Sequence, residues 1–380
     1  MEIYFDNAAT TRVIPEVREI MLNTLDEEYG NPSSMHKKGV GAERYLRYTR
    51  EVLSRQLKCA PKEIILTSGG TEANNLALIG IAQANKRAGN HIITTGIEHA
   101  SVYNPVLYLK DLGFEVSFLG VDGRGKVDLE DLCKTLCKDT ILVSTMAVNN
   151  EIGTVEPIEE IAKIIKDYNT DILYHVDAIQ AFGKMNIYPK RIGVDAMSLS
   201  VHKLHGPKGS GALFVDERVK LRPIIYGGGQ ERGFRSGTEN TAAIAGLGKA
   251  AEVIYGRLDE NIKAMKLVKD TLIAGATRIE GVTDHSGEAP HIASLSFRGV
   301  RSEVLLHALE NKGIYVSAGS ACSSNHPAIS GVLKAIGLDK ELLESTLRFS
   351  FCEYNTVEEA EYTIKVLEEL LPQLRRFTRR

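Results

Sequence analysis

The sequence predicts an α/β chain: a mostly parallel sheet with helices on both faces, joined to a smaller α+β unit. Three observations predict it. From Ile64 onward, short apolar runs alternate with longer stretches of helical periodicity, the pattern that wraps helices over a parallel sheet. The apolar runs are followed by polar segments rich in Gly, His, Asn and Asp, as expected where strands of an open α/β sheet deliver ligand-binding side chains. Finally, 380 residues with 43% hydrophobic content are too many for one small domain and ample for a large core.

Taken in order, Ile3-Tyr4-Phe5 reads as a short strand, and Asp6-Asn7-Ala8-Ala9-Thr10-Thr11 as a polar turn before a helix starting near Pro15. Tyr29 to His36 is too rich in turn formers for helix or strand, and a long helix follows from about Gly39 to Leu57. The alternation then runs through strands at Ile64–Thr67, Ile92–Thr95, Glu115–Leu119, Ile141–Met146, Ile172–Val176, Asp195–Leu199 and Ala212–Val215. Helical periods between them cover Thr71–Arg87, Ser101–Leu112, Leu129–Cys137 and Ile158–Tyr168. After Gly227-Gly228-Gly229 a helix-rich segment spans about Ala242–Ala274. Strands near Ile292–Phe297 and Thr346–Ser350, with helices near Ser302–Leu309 and Val357–Leu371, make up the smaller unit. The expected division is 15–255 for the large domain, with 1–14 and 256–380 forming the small one, so that the N-terminal arm packs against the C-terminal part.

Composition removes several classes of function. A net charge of −3 with interspersed signs offers no basic stripe for nucleic acid. No run approaches the roughly 18 apolar residues of a membrane span, and Glu2 and Asp6 stand where a signal peptide needs a basic start; a cytoplasmic location is expected. Five scattered cysteines at 59, 133, 137, 322 and 352 argue for reduced thiols. Cys133 and Cys137 read as partly buried helix residues, since no second Cys/His pair stands at ligand spacing, and no metal site is expected.

The chemistry centres on Ser200-Val201-His202-Lys203-Leu204-His205-Gly206-Pro207-Lys208-Gly209, a strand handing over to a tight loop. A lysine in such a loop ordinarily reads as a solvated cation. Its neighbours change that reading, because Asp177 ends an upstream strand, and a lysine with a distant carboxylate suits pyridoxal phosphate. That cofactor takes a lysine in a Schiff base and an acid against its pyridine nitrogen. Thr67-Ser68-Gly69-Gly70-Thr71 places free backbone N–H groups and a hydroxyl at a helix start, suited to a terminal phosphate with Ser200 and His202 as further donors. No Walker A loop occurs, and no Gly-x-Gly-x-x-Gly follows a strand. His99, in Glu98-His99, is placed to stack on a ring at the strand ends and to shuttle protons, as well as to cap a helix. Asn150 and Gln180 add amides. Cys322 stands among small polar residues, Ser317 to Pro327, which favours an exposed, reactive thiol.

These segments resemble the cysteine desulfurases of the NifS/IscS type, in the class V branch of the fold-type-I pyridoxal-phosphate enzymes, from Tyr4 to about Leu370. The specific matches are Asp6 to Thr11, Gly30-Asn31-Pro32-Ser33-Ser34, Glu98-His99, Asn149-Asn150-Glu151-Ile152-Gly153, His175 to Gln180, Ser200 to Lys203, Arg235 to Asn240, Ser320 to Ser324 and Leu347 to Ser350. The resemblance implies a seven-stranded, mostly parallel sheet in the large domain. It further implies that Lys203 carries the cofactor, Asp177 pairs with the pyridine nitrogen, Gln180 bonds the phenolic oxygen, and His99 stacks on the ring. Thr71, Ser200 and His202 would hold the phosphate, and Thr238 would reach the phosphate of a neighbouring subunit in a symmetric homodimer. Asn150 would lie beside substrate and ring, Arg348 would clamp the carboxylate of L-cysteine, and Cys322 would take the sulfur as a persulfide. Alanine and an enzyme-bound sulfur are the implied products. The sulfur then passes to an acceptor protein, an iron–sulfur scaffold or a tRNA-thiolating enzyme, with any iron–sulfur contact confined to Cys322 during transfer. Departures from the family pattern are mild: Gly70 precedes Thr71 where Ala is usual, and Ser323 follows Cys322 where Thr is usual. The sequence ends at Arg380 without the longer docking tail of housekeeping members, and the span from Cys322 to Val332-Leu333 matches the long-loop group. A selenocysteine lyase, a class V aminotransferase and a non-catalytic sulfur-carrier platform are the alternative readings.

Overall fold

A computed structural model describes residues 2–318 and 330–378. Its strands are β1 Ile3–Tyr4, β2 Ile64–Thr67, β3 His91–Thr95, β4 Glu115–Leu119, β5 Thr140–Met146, β6 Leu173–Asp177, β7 Ala196–Ser200, β8 Gly211–Val215, β9 Val282–Asp284, β10 Ile292–Phe297, β11 Ile314–Tyr315, β12 Ser317–Ala318 and β13 Thr346–Ser350. The helices used below are α1 Pro15–Asp26, α2 Lys37–Leu57, α3 Gly70–Asn85, α4 Ala100–Asp111, α5 Leu129–Thr135, α6 Ile158–Tyr168, α7 Pro189–Ile192, α8 Thr241–Tyr255 and α9 Leu258–Ala276.

Seven strands form the central sheet in the order β2-β8-β7-β6-β5-β3-β4. All pairings are parallel except those of β8, which runs against both β7 and β2. The strands β2, β3, β5, β6 and β7 therefore all point the same way, and their C-terminal ends share one edge. β5, β7 and β8 are buried along their full length, as continuous apolar runs covered on both faces must be. One apolar cluster under this sheet joins Leu53 and Leu57 of α2, Ile161 and Ile165 of α6, and Leu247 and Ala251 of α8. A second packs Leu76, Ala77 and Ile81 of α3 and Val102, Val106 and Leu109 of α4 on the other face. α6 shows why the segment is a helix: Ile158, Ile161, Ala162 and Ile165 repeat at helical spacing on the buried stripe, with Glu159 and Glu160 in its first turn and Lys166 in its last.

β12-β13-β10-β9 form a separate antiparallel sheet, and β1 pairs with β11. Ile3 and Phe5 are fully buried in the apolar cluster of this region, beside Leu295, Phe297, Leu347, Phe349 and Phe351. Ile3 and Phe5 of the N-terminal arm thus pack against β10 and β13. Two expectations are corrected. α5 stops at Thr135 rather than Cys137, because the chain turns at Leu136 so that the Cys137 thiol can meet the His91 ring at 3.4 Å. Cys133 is exposed rather than partly buried, lying on the outer face of that short helix.

Candidate active site

The common edge gathers the side chains. Gly69 and Gly70 follow β2, His99 follows β3, Asn150 follows β5, Asp177 ends β6, and Lys203 follows β7. Asp177 is 5% exposed, and its carboxylate is held from two sides. The Asn74 amide donates to Oδ2 at 2.7 Å, and the Ile179 N–H donates to Oδ1 at 3.0 Å. Asn74 also donates to Ser101 Oγ at 2.9 Å, and Ser101 Oγ lies 2.8 Å from Nδ1 of His99. A continuous polar chain therefore runs from Asp177 to the imidazole. His99 caps α4 by accepting the Ser101 N–H. Capping and ring presentation are one arrangement, because the cap fixes Nδ1 and leaves Nε2 for other work. Burial pushes the His99 pKa below its ordinary value, while Asp177 draws it up and Lys203 draws it down. The same ring thus feels the acid and the amine.

Lys203 is half-buried in the turn between β7 and β8. The N-terminal turn braces it on both flanks: Thr11 donates its N–H and its hydroxyl to the His202 carbonyl, at 2.8 and 3.0 Å, and accepts the His205 N–H at 2.7 Å. Thr10 Oγ1 lies 3.3 Å from His202 Nδ1. Burial lowers the His202 pKa to about 4, helped by Lys203 and Lys208, so this ring is neutral at physiological pH.

Ser200 and the start of α3 form a cradle. Gly69 takes φ +152°, a conformation that L side chains rarely adopt. A Cβ on Gly70 would collide with Ile179, and one on Gly211 would meet the Gly69 Cα at 2.7 Å, so glycine is needed for this close approach. Ser200 Oγ is buried here without a hydrogen-bond partner. An orphaned hydroxyl beside the positive end of a sixteen-residue helix is what a phosphate oxyanion would satisfy. Exposed Thr71, with His99, Ser101, Asn104 and Tyr108, lines a groove of about 410 Å³ between α3 and α4.

Arg348 comes from β13 and reaches the same edge. It donates Nη1 to the Asn150 carbonyl and Nη2 to Asp6 Oδ1, both at 2.8 Å, while its buried Nε has no partner. Gln180 donates Nε2 to the Ala8 carbonyl at 3.0 Å, and its Oε1 lies 3.2 Å from His291 Nε2. Thr238 is exposed, on the segment ahead of α8. Cys322 lies outside the described residues. Asn74, Ser101, Asp6 and His291 are the supporting residues that sequence reasoning missed. Asp6 stands in a turn that was noticed without a role; the other three carry no local signal.

The family model for Aminotransferase class-V matches residues 3–363. The chain belongs to that family, among its NifS/IscS-type cysteine desulfurases. It is 44% identical over 378 residues to the cysteine desulfurase IscS of Dictyoglomus turgidum, covering 98% of this chain and 95% of that one. To the IscS of Methanosarcina thermophila it is 41% identical over 376 residues, 98% and 93% of the two chains. A solved NifS-like protein superposes with a TM-score of 0.93 at 40% identity, covering 98% of this chain and all of the other. The NifS-like protein from Rickettsia africae superposes with a TM-score of 0.88 at 32% identity, over 97% of this chain and 99% of that one. This chain places Lys203, Asp177 and His99 at the shared edge of its sheet.

Proposed function

We propose that this chain binds pyridoxal 5′-phosphate at the sheet edge and removes the sulfur of L-cysteine, leaving alanine and a persulfide on Cys322. The observation that carries the reading is the polar chain from Asp177 through Asn74 and Ser101 to His99 at the strand ends, with Lys203 on the turn after the neighbouring strand. When bound, the cofactor supplies an electron sink that stabilises negative charge at the substrate Cα. The Lys203 amine would hold the cofactor covalently and, once released, take the Cα proton. Asp177, held in place by its two donors, would face the pyridine nitrogen and favour its protonation. Ser200, Thr71, the neutral His202 ring and the N–H groups at the start of α3 would hold the phosphate. Gln180 has one amide N–H left over after Ala8 to offer a phenolic oxygen. Arg348, steadied by Asp6 and Asn150, would present Nε and its remaining N–H groups to the substrate carboxylate. His99 would stack on the cofactor when it is bound, and its Nε2, left clear by the Nδ1 cap, could move a proton.

The transfer balances as L-cysteine plus the Cys322 thiol giving alanine plus the Cys322 persulfide, with no outside oxidant. Thr238, exposed in a single chain, fits a role at a neighbouring subunit's phosphate, so we take the working unit to be a homodimer divided into domains 15–255 and 1–14 with 256–380. Among the described residues no helix is long and apolar enough to cross a membrane. A cytoplasmic enzyme that hands sulfur to an iron–sulfur scaffold or a tRNA-thiolating partner completes the proposal. The test is to supply L-cysteine and a thiol reductant and quantify alanine and sulfide together. Equal yields are expected; pyruvate, or alanine formation undiminished by Cys322→Ala, would refute the reading.

A further inference from the structure

Two residues beyond Lys203, the loop meets the chain that follows β13. There His205 Nε2, Cys352 Sγ and a carboxylate oxygen of Glu353 all lie within 4.8 Å of one another. We propose that these three side chains form a site for one divalent cation of the zinc class, distinct from the cofactor site and tying the lysine loop to the strand that carries Arg348.

The donor set argues for the kind of ion. One thiolate, one imidazole and one carboxylate suit a borderline cation such as Zn²⁺ or Co²⁺ and do not suit Mg²⁺ or Ca²⁺, which take oxygen ligands. The geometry is close to what such an ion needs. With Zn–N and Zn–O near 2.0–2.1 Å, a tetrahedron places those two donors about 3.3 Å apart. His205 Nε2 and Glu353 Oε2 are 3.4 Å apart, yet they are not aligned as a hydrogen bond. His205 Nε2 and both Glu353 carboxylate oxygens are buried without a hydrogen-bond partner, and the two side chains are only 3% and 8% exposed. His205 and Glu353 can pair as ions when the ring is protonated, yet none of the three atoms has a hydrogen bond; buried polar atoms are almost always satisfied, so their convergence on one point indicates a further, shared partner.

The surroundings prepare the ligands independently. His205 Nδ1 donates to the Arg12 carbonyl at 2.8 Å, which turns the Nε2 lone pair toward Cys352 and Glu353. Metal-bound histidines are oriented in this way. The residue holds that pose at φ +63°, an unusual conformation for a side chain of this size, kept in place by Thr11 accepting its N–H. On the other side, the Cys352 N–H donates to Asn355 Oδ1 at 2.9 Å, and Tyr354 packs edge-on against the imidazole at 5.2 Å. Lys184, the nearby cation, points its ammonium at Met265 Sδ, 3.7 Å away. Uptake of the ion displaces the thiol proton, and the Nε2 proton where the ring is charged, so the fourth position is left to water.

The test uses the full-length protein as purified, carrying Cys322→Ser so that the other reactive thiol takes no part. After treatment with a chelator and dialysis, Zn²⁺ is titrated in competition with a chromophoric chelator, and thermal melts are recorded with and without the metal. One equivalent per chain is expected, with a higher melting midpoint in its presence. Cys352→Ser, His205→Gln and the shape-conserving Glu353→Gln should each weaken binding at least tenfold and abolish the shift, with circular dichroism showing that they remain folded. A full equivalent retained by Cys352→Ser would assign the metal to Cys137 with His91 or elsewhere and overturn the proposal. Absence of saturable binding in the Cys322→Ser protein would overturn it equally.

Discussion

Replacing Ser200 by Ala should act in opposite directions on the apoprotein and on the cofactor complex. Ser200 is 2% exposed, and its Oγ has no partner in the folded chain, so the apoprotein carries the desolvation of a hydroxyl with no return. Such a group costs about 1–3 kcal/mol, and deleting it removes that cost while opening a gap of one oxygen. The Cβ of Ala remains in contact with the surroundings of Gly70, where a Cβ would sit 3.4 Å from that of Ser200. The apoprotein of the variant should therefore be as stable as its parent or more so. With phosphate bound, the same hydroxyl becomes a charge-assisted donor, about 1.5–3 kcal/mol, or roughly tenfold to a hundredfold in affinity. Paired melts of apo and holo forms, together with pyridoxal-phosphate titration of the apoprotein, separate the two effects. A variant less stable than its parent without cofactor, or one with unchanged affinity for the cofactor, would show that Ser200 is a structural hydroxyl and that the phosphate lies elsewhere.

The remaining predictions address the groups around it. Asn74→Ala removes a donor to Asp177 and the link to Ser101, and should speed cofactor loss about tenfold, measured by dilution of the holoenzyme; unchanged retention would break the chain from Asp177 to His99. Arg348→Lys should lower kcat/KM for L-cysteine roughly tenfold to a hundredfold, mainly through KM, because an ammonium cannot span Asp6, Asn150 and a carboxylate together; parental kinetics would remove Arg348 from the clamp. Burial pushes Glu151 up to about 7 against the pull of Ser330 and Arg348. Its folded pKa exceeds the unfolded value near 4.3, so the folded state holds the extra proton and stability from this group falls as pH rises from about 4.3 to 7. Glu151→Gln should then gain more in melting midpoint over its parent at pH 8 than at pH 5, and an equal gain at both would contradict the burial argument.

Lys203, Asp177 and His99 were legible because each stands at a strand end, where few elements compete to place a side chain, and because the chemistry of an amine opposite an acid is narrow. The helical stretch after β2 was legible too, although α3 begins at Gly70, one residue earlier than periodicity suggests, since glycine carries no apolar signal. What was hidden lies in contacts between distant segments. Asn74 reaches Asp177 across 103 residues from the second turn of a helix, where an amide reads as one more polar position. His291, fully buried beside Gln180, is indistinguishable in sequence from a surface histidine at a strand start. Cys137 was misplaced for a related reason: the helical period continues through it, but its N–H goes to Thr140 Oγ1 and its thiol to the His91 ring, 46 residues away.

The N-terminal turn shows how far local reading reaches and where it stops. Asp6 to Thr11 has the composition of a turn, and turn chemistry accounts for its backbone. Its position accounts for its function, because burial of Ile3 and Phe5 against β10 and β13 anchors the arm, and the arm then delivers three contacts to the site. Asp6 fixes Arg348, the Ala8 carbonyl engages Gln180, and Thr11 grips the chain on both sides of Lys203. A six-residue turn thus couples the strand carrying the guanidinium to the loop carrying the amine. Loosening its apolar anchor should disturb both at once: Phe5→Ala, which removes a fully buried ring at a cost of about 3–5 kcal/mol, should raise KM for cysteine and speed cofactor loss together, although Phe5 touches neither. Independent movement of the two quantities, measured by steady-state kinetics and by cofactor release from the same preparation, would show that the arm is a passive strand and that the two halves of the site are held separately.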